Sequence, residues 1–122
     1  MKAELFERVR EIPGVVVSEG AFAPGDAVWV GRREIAHVDA DGALDVRLTK
    51  AVIRARREEF RSDPRIRLRA GPSDWIEVSV VSPEDIDFAV DLVKEAIAAN
   101  VSTAQAGAPP TGTELERRRR FP

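Results

Sequence analysis

The sequence predicts an α+β fold: an antiparallel sheet of about six strands with three helices mainly on one face. Three observations predict it. Short apolar runs recur between Gly, Pro, Asn/Asp and Ser turn signals, as in antiparallel hairpins. Residues 83–99 instead repeat Ile86, Ala89, Val90, Val93, Ala96 and Ile97 at helical spacing. The chain of 122 residues, 43% hydrophobic and 33% charged, suffices for one globular core but not for two.

The first element is a helix over residues 2–11, with Leu5, Phe6, Val9 and Ile12 as its apolar side. Pro13-Gly14 ends it, because proline cannot continue a helix and glycine favours the turn. Val15-Val16-Val17 is a short strand. Residues 20–26 are loop, and Ala27-Val28-Trp29-Val30 is a second strand closed by Gly31. Residues 33–38 and 43–48 form a hairpin around Asp41-Gly42. Thr49 caps a helix over residues 50–60, buried through Val52, Ile53 and Phe60 and stopped at Ser62-Asp63-Pro64. Residues 65–69 and 75–81 make a second hairpin. Ser82-Pro83-Glu84-Asp85 then starts the last helix: a cap, a proline in the first turn, and acids at its positive end. The expected order is α-β-β-β-β-α-β-β-α. Residues 1–100 are the folded domain. Residues 101–122 hold small residues, prolines and Arg117 to Arg120, without an apolar period, and read as a disordered, basic-ended tail.

Strand register decides which side chains meet. In the second hairpin, Leu68 opposite Ile76 and Ile66 opposite Val78 keeps apolar with apolar. The other face then sets Arg67 against Glu77 and Arg69 against Trp75, an ion pair beside a cation–π contact. The first hairpin admits two registers. A tight Asp41-Gly42 turn pairs Ala40 with Ala43 and turns His37 inward beside Val46 and Leu48. A five-residue loop pairs Val38 with Leu44 and Ala36 with Val46, and sets His37 opposite Asp45 on the outer face. Asp-Gly is the stronger signal for the tight turn.

Composition removes much chemistry. With no cysteine, thiolate catalysis and cysteine-built metal sites are excluded. The single histidine, His37, excludes multi-histidine sites. No Gly-rich phosphate loop and no nucleophile elbow is present. Asp39, Asp41, Asp45 and His37 superficially suggest a calcium loop. They lack its further oxygen ligands and its distal glutamate, so no metal and no cofactor is expected. Seven arginines between residues 54 and 69 (54, 56, 57, 61, 65, 67, 69) face only Glu58, Glu59 and Asp63. That surplus suits a solvated face first and a nucleic acid second. The start has no apolar run long enough for a signal peptide or membrane span, so a cytoplasmic location without membrane contact is expected.

The stretch from Gly31 to Leu48, G-R-R-E-I-A-H-V-D-A-D-G-A-L-D-V-R-L, resembles the signature of the luciferase-domain family, small bacterial proteins named after fungal luciferases. Trp75 and Ser82-Pro83-Glu84-Asp85 match the later tryptophan strand and helix start, so the likeness spans residues 4–99. It departs at Asp39, where the pattern has a second histidine, and at residues 65–70, where a Glu-Pro-His motif is replaced. The resemblance carries over Arg33, Glu34, His37, Asp41, Gly42, Asp45 and Trp75. Taken with the strand faces, the chain is expected to bind a small ligand or protein partner through the sheet face, using Arg33, His37, Asp39, Asp41, Arg65, Arg67, Arg69 and Trp75. The alternatives are an oxidoreductase acting on an organic substrate through His37, Glu34 and Asp45, and a nucleic-acid-binding module using the arginines of 54–69.

Overall fold

The computed structural model describes residues 2–22, 24–101 and 107–120. Six antiparallel strands form one sheet in the order β1-β2-β3-β4-β6-β5. The strands are β1 (Val15–Glu19), β2 (Asp26–Val30), β3 (Arg33–Val38), β4 (Leu44–Arg47), β5 (Ile66–Leu68) and β6 (Trp75–Val78). The helices are α1 (Lys2–Arg10), α2 (Lys50–Ala55), α3 (Arg57–Arg61), α4 (Pro83–Asn100) and α5 (Gly112–Arg120).

The registers build two unlike faces. Val38, Leu44, Val78 and Ile66 lie in one row across four strands, and Ala36, Val46, Ile76 and Leu68 in the next. Both rows belong to the main core, closed by α4 through Ile86, Ala89, Val90 and Val93 and by α1 through Leu5 and Val9. The adjoining row on the opposite face is polar: His37, Asp45, Glu77 and Arg67. The α4 start is the capping box read from Ser82 and Asp85. The Asp85 amide donates to Ser82 Oγ at 3.4 Å, and the Ser82 amide donates to Asp85 Oδ2 at 3.2 Å.

Three expectations are corrected. The tight Asp41-Gly42 turn does not form, since Val38 pairs with Leu44 and Ala36 with Val46. The tight register would have set His37 against Val46 and broken the apolar rows, whereas the observed one keeps apolar with apolar across four strands. Asp39 holds the five-residue loop instead, its Oδ1 accepting from the amides of Asp41 (2.9 Å) and Ala43 (3.1 Å). The helix over residues 50–60 is two helices, α2 and α3, parted at Arg56 (φ −108°, ψ 15°). Arg56 is drawn out of helical geometry beside ion pairs to Glu59 and Glu95, with its guanidinium 4.6 Å from the centre of the Phe60 ring.

The third correction concerns the tail. Residues 112–120 are helix α5, which brings the helices to five against three expected. Leu115 is buried against Ala27 and Trp29 on the polar side of the sheet. Arg119 donates to the carbonyl of Gly20 and pairs with Glu19, Arg118 donates to the carbonyl of Arg32, and Arg32 pairs with Glu114. One leucine makes no period, so the helix is invisible to a periodicity search; the uncovered Trp29 surface is what recruits it. The rest of the expected tail, residues 102–106 and 121–122, lies outside the described residues.

This docking makes a prediction. Leu115→Ala should cost about 2–3 kcal/mol and expose Trp29. In a Trp75→Phe background Trp29 alone reports, and acrylamide should quench its fluorescence more strongly than with Leu115 intact. Unchanged quenching and an unchanged denaturation midpoint would mean that α5 does not cover Trp29.

Candidate functional site

The site begins with an irregularity in β3. Val28 pairs with Ala36 but Trp29 pairs with Glu34, so Ile35 is an extra residue in the ladder. In a regular strand, residues three apart point to opposite faces. The bulge cancels one alternation. Ile35 therefore enters the core, while Glu34 and His37 come out on the same face.

There the imidazole lies between two carboxylates. His37 Nδ1 is 2.8 Å from Glu34 Oε2, and Nε2 is 3.0 Å from Asp45 Oδ2. All three side chains are buried. Burial alone pushes the imidazole pKa down, but the bonds to Asp45 and Glu34 and their charges outweigh it, and the net value rises to about 9. His37 is thus an imidazolium at neutral pH, both of its N–H groups donating to carboxylates. Neither ring nitrogen is free to act as a base. Glu34 does a second task, since its Oε1 accepts from the Ala21 amide at 2.6 Å and anchors the loop that carries Phe22.

Phe22, Trp75 and His37 surround one open cleft. The Phe22 ring stacks near the imidazole at 6.1 Å, the Trp75 ring stands 5.0 Å from it, and Phe22 meets Trp75 edge-on at 5.2 Å. Phe22 is 51% exposed. The cleft encloses about 820 Å³ and is lined also by Pro24, Val38, Asp39, Ala40, Asp45 and Arg69. Arg69 donates to Asp45 Oδ2 at 3.3 Å. The guanidinium over Trp75 is that of Arg47, at 4.7 Å, not the Arg69 expected from the hairpin; Arg47 also lies 5.1 Å from the Phe22 ring. Position 47 faces Trp75 across the β4–β6 ladder, a neighbour that reading each hairpin by itself cannot find. Burial, with Arg33 nearby, lowers the Arg47 pKa to about 10, still charged at neutral pH.

The structure therefore gathers His37, Asp39, Asp45, Arg69 and Trp75 at one cleft, with Glu34 behind. It places other singled-out residues elsewhere. Arg33 donates to Asn100 at the end of α4. Asp41 is exposed at the hairpin loop. Arg65 is bound to Asp63 and lies 3.5 Å from the centre of the Phe88 ring on α4. Arg67 is exposed, 3.6 Å from Glu77. Sequence reasoning missed Phe22 and Arg47. Phe22 had one available signal, a lone aromatic in an otherwise small and polar loop.

The sequence model of the luciferase domain matches residues 32–96, more than half of the chain, from the turn just before β3 through most of α4. The chain belongs to the luciferase-domain family. No curated protein and no solved structure matches it. The luciferase-domain match contains Glu34, His37, Asp45, Arg69 and Trp75 but neither Phe22 nor α5. One wall of the cleft is thus supplied from outside the matched part. Among the described residues of this luciferase domain, no helix is long and apolar enough to cross a membrane.

Proposed function

We propose that this luciferase domain binds a small planar organic molecule in the cleft lined by Phe22 and Trp75. The observation that carries the reading is the exposed Phe22 ring, held beside Trp75 and a buried imidazolium at the mouth of an open cavity. The contiguous rings of Phe22 and Trp75 give a flat ligand an aromatic surface to lie against, and Arg69 with the carboxylate of Asp39 offers polar groups to orient it. A partner protein has less of the sheet to use, because α5 already covers the outer side of β2.

The test is native mass spectrometry of the protein purified without denaturation, followed by identification of any bound molecule. A conjugated organic compound should be found at one per chain. Phe22→Ala, which alters a half-exposed side chain, should weaken its binding by about tenfold, as the loss of one aromatic contact implies. A bare protein mass, together with no tryptophan-fluorescence response to a panel of hydroxylated aromatic compounds, would overturn the reading.

A second reading rests on the same cleft: a luciferase-type oxidation of the bound molecule, with His37, Glu34 and Asp45 as the polar groups. It is favoured by the register that sets His37 on the cleft side. With both N–H groups committed to carboxylates, His37 would position Glu34 and Asp45 at the cleft rather than act as a base. Oxygen uptake by the protein in the presence of the identified compound separates this reading from binding alone. The nucleic-acid alternative has weaker support, since Arg56, Arg61, Arg65, Arg67 and Arg69 each stand within ion-pair distance of a carboxylate.

A further inference from the structure

Asp45 is the centre of a second constellation. It lies opposite Glu77 in the β4–β6 ladder, and Asp39 opens the loop after β3. Each of the three brings a carboxylate oxygen within 4.8 Å of the others. Like charges directly opposite in a sheet repel, so the arrangement requires compensation. What is present is incomplete. His37 and Arg69 both bind Asp45 Oδ2. Arg67 reaches Glu77 at 3.6 Å with a side chain 83% exposed, a weak pair in water. Asp39 Oδ1 accepts its two loop amides. Asp45 Oδ1 is left buried and, among the described residues, without a hydrogen-bond partner, on a residue only 3% exposed. An anionic oxygen removed from water without a donor is costly, and such an atom calls for a ligand.

The geometry points to a divalent-cation site formed by Asp39, Asp45 and Glu77. In an oxygen-ligated centre, donors on opposite sides of the ion lie about 4–5 Å apart, twice a metal–oxygen distance of roughly 2.0–2.6 Å. Carboxylates within 4.8 Å of one another fit one coordination sphere. The donors are all hard oxygens, and both nitrogens of His37 are engaged. The class is therefore Mg²⁺, Ca²⁺ or Mn²⁺ rather than a nitrogen- or sulfur-seeking metal. Asp39 and Asp45 line the open cleft, which gives the ion a path and leaves its remaining positions to water or to oxygens of a bound molecule. The site stands independently of the organic ligand proposed above.

The experiment uses Mn²⁺ alone on the chelator-treated full chain. Calorimetry and electron paramagnetic resonance should count one saturable Mn²⁺ per chain, displaced by Ca²⁺ or Mg²⁺. Asp39→Asn and Glu77→Gln change residues outside the core, and each should weaken binding at least tenfold. A readout in the unaltered protein is supplied by its single histidine: substoichiometric Mn²⁺ should broaden the His37 ring resonances before those of α1 or α4. Absence of saturable binding would overturn the site. So would binding that leaves the His37 resonances sharp, or that persists unchanged in both variants. Because no organic compound is present, failure here leaves the ligand test untouched, and the converse holds.

Discussion

Asp45→Ala is expected to lower stability by about 3 kcal/mol. The side chain is buried and accepts from both the His37 imidazolium and Arg69 on one oxygen. Each such charge-assisted bond contributes roughly 1.5–3 kcal/mol. Its other oxygen has no partner among the described residues, a cost of about 1–3 kcal/mol that the substitution relieves. Two lost bonds outweigh one relieved oxygen, and the variant also leaves the Nε2–H of His37 without its acceptor. The net sign is destabilising. Urea denaturation at pH 7 in the presence of a chelator measures it. A midpoint within about 0.5 kcal/mol of the unaltered protein, the scatter of ordinary surface substitutions, would show that the carboxylate–imidazolium–carboxylate assembly adds nothing to the fold.

The second large effect is on pH dependence. The folded pKa of His37 is raised to about 9, against 6.5 for an unperturbed imidazole. A raised pKa means that the native state holds its proton more tightly than the unfolded chain. The stabilisation is therefore complete below about pH 6.5. It declines as pH rises between 6.5 and 9 and is gone above the folded pKa. The loss across that window should be on the order of 2–3 kcal/mol, since one pKa unit is worth about 1.4 kcal/mol and burial opposes the two carboxylates. Glu34 and Asp45 are the charged groups bonded to the ring, and Arg69 lies behind Asp45. Two measurements check it in chelator-containing buffer. The His37 ring protons should titrate near pH 9 by NMR, and the urea midpoint should fall from pH 6.5 to pH 9. In Asp45→Ala one of the two carboxylates is gone, so the slope should flatten. A titration near 6.5 with no slope in stability would refute the charged-histidine assignment.

These two results concern residues that were each visible in the sequence, yet their relation was not. Glu34, His37 and Asp45 were candidates by residue type and by resemblance. A strand of alternating faces separates Glu34 from His37, and only the bulge at Ile35 reunites them. A bulge has no compulsory residue when it occurs away from glycine, so no local signal announces it. The side chain that covers His37 comes from Phe22 in a loop, and the loop is held there by a bond to Glu34, a contact between residues 13 apart.

The local instructions were strong where one backbone group or one periodic face was enough. Pro13-Gly14 ends α1, Ser82 and Asp85 start α4, and Ile66 and Leu68 find Val78 and Ile76 because apolar alternation allows one register. By itself, then, the sequence determined the α+β class, the strand order within each hairpin, the absence of thiol and multi-histidine chemistry, and membership of a family. The tertiary structure decided the direction of His37, the partner of Trp75, the split of α2 from α3 and the docking of α5. Each of those depends on a neighbour from another element. A turn preference of a few tenths to about 1 kcal/mol, the range of local backbone effects, yields to apolar rows running across four strands, and one leucine suffices as an anchor once Trp29 presents a surface for it to cover.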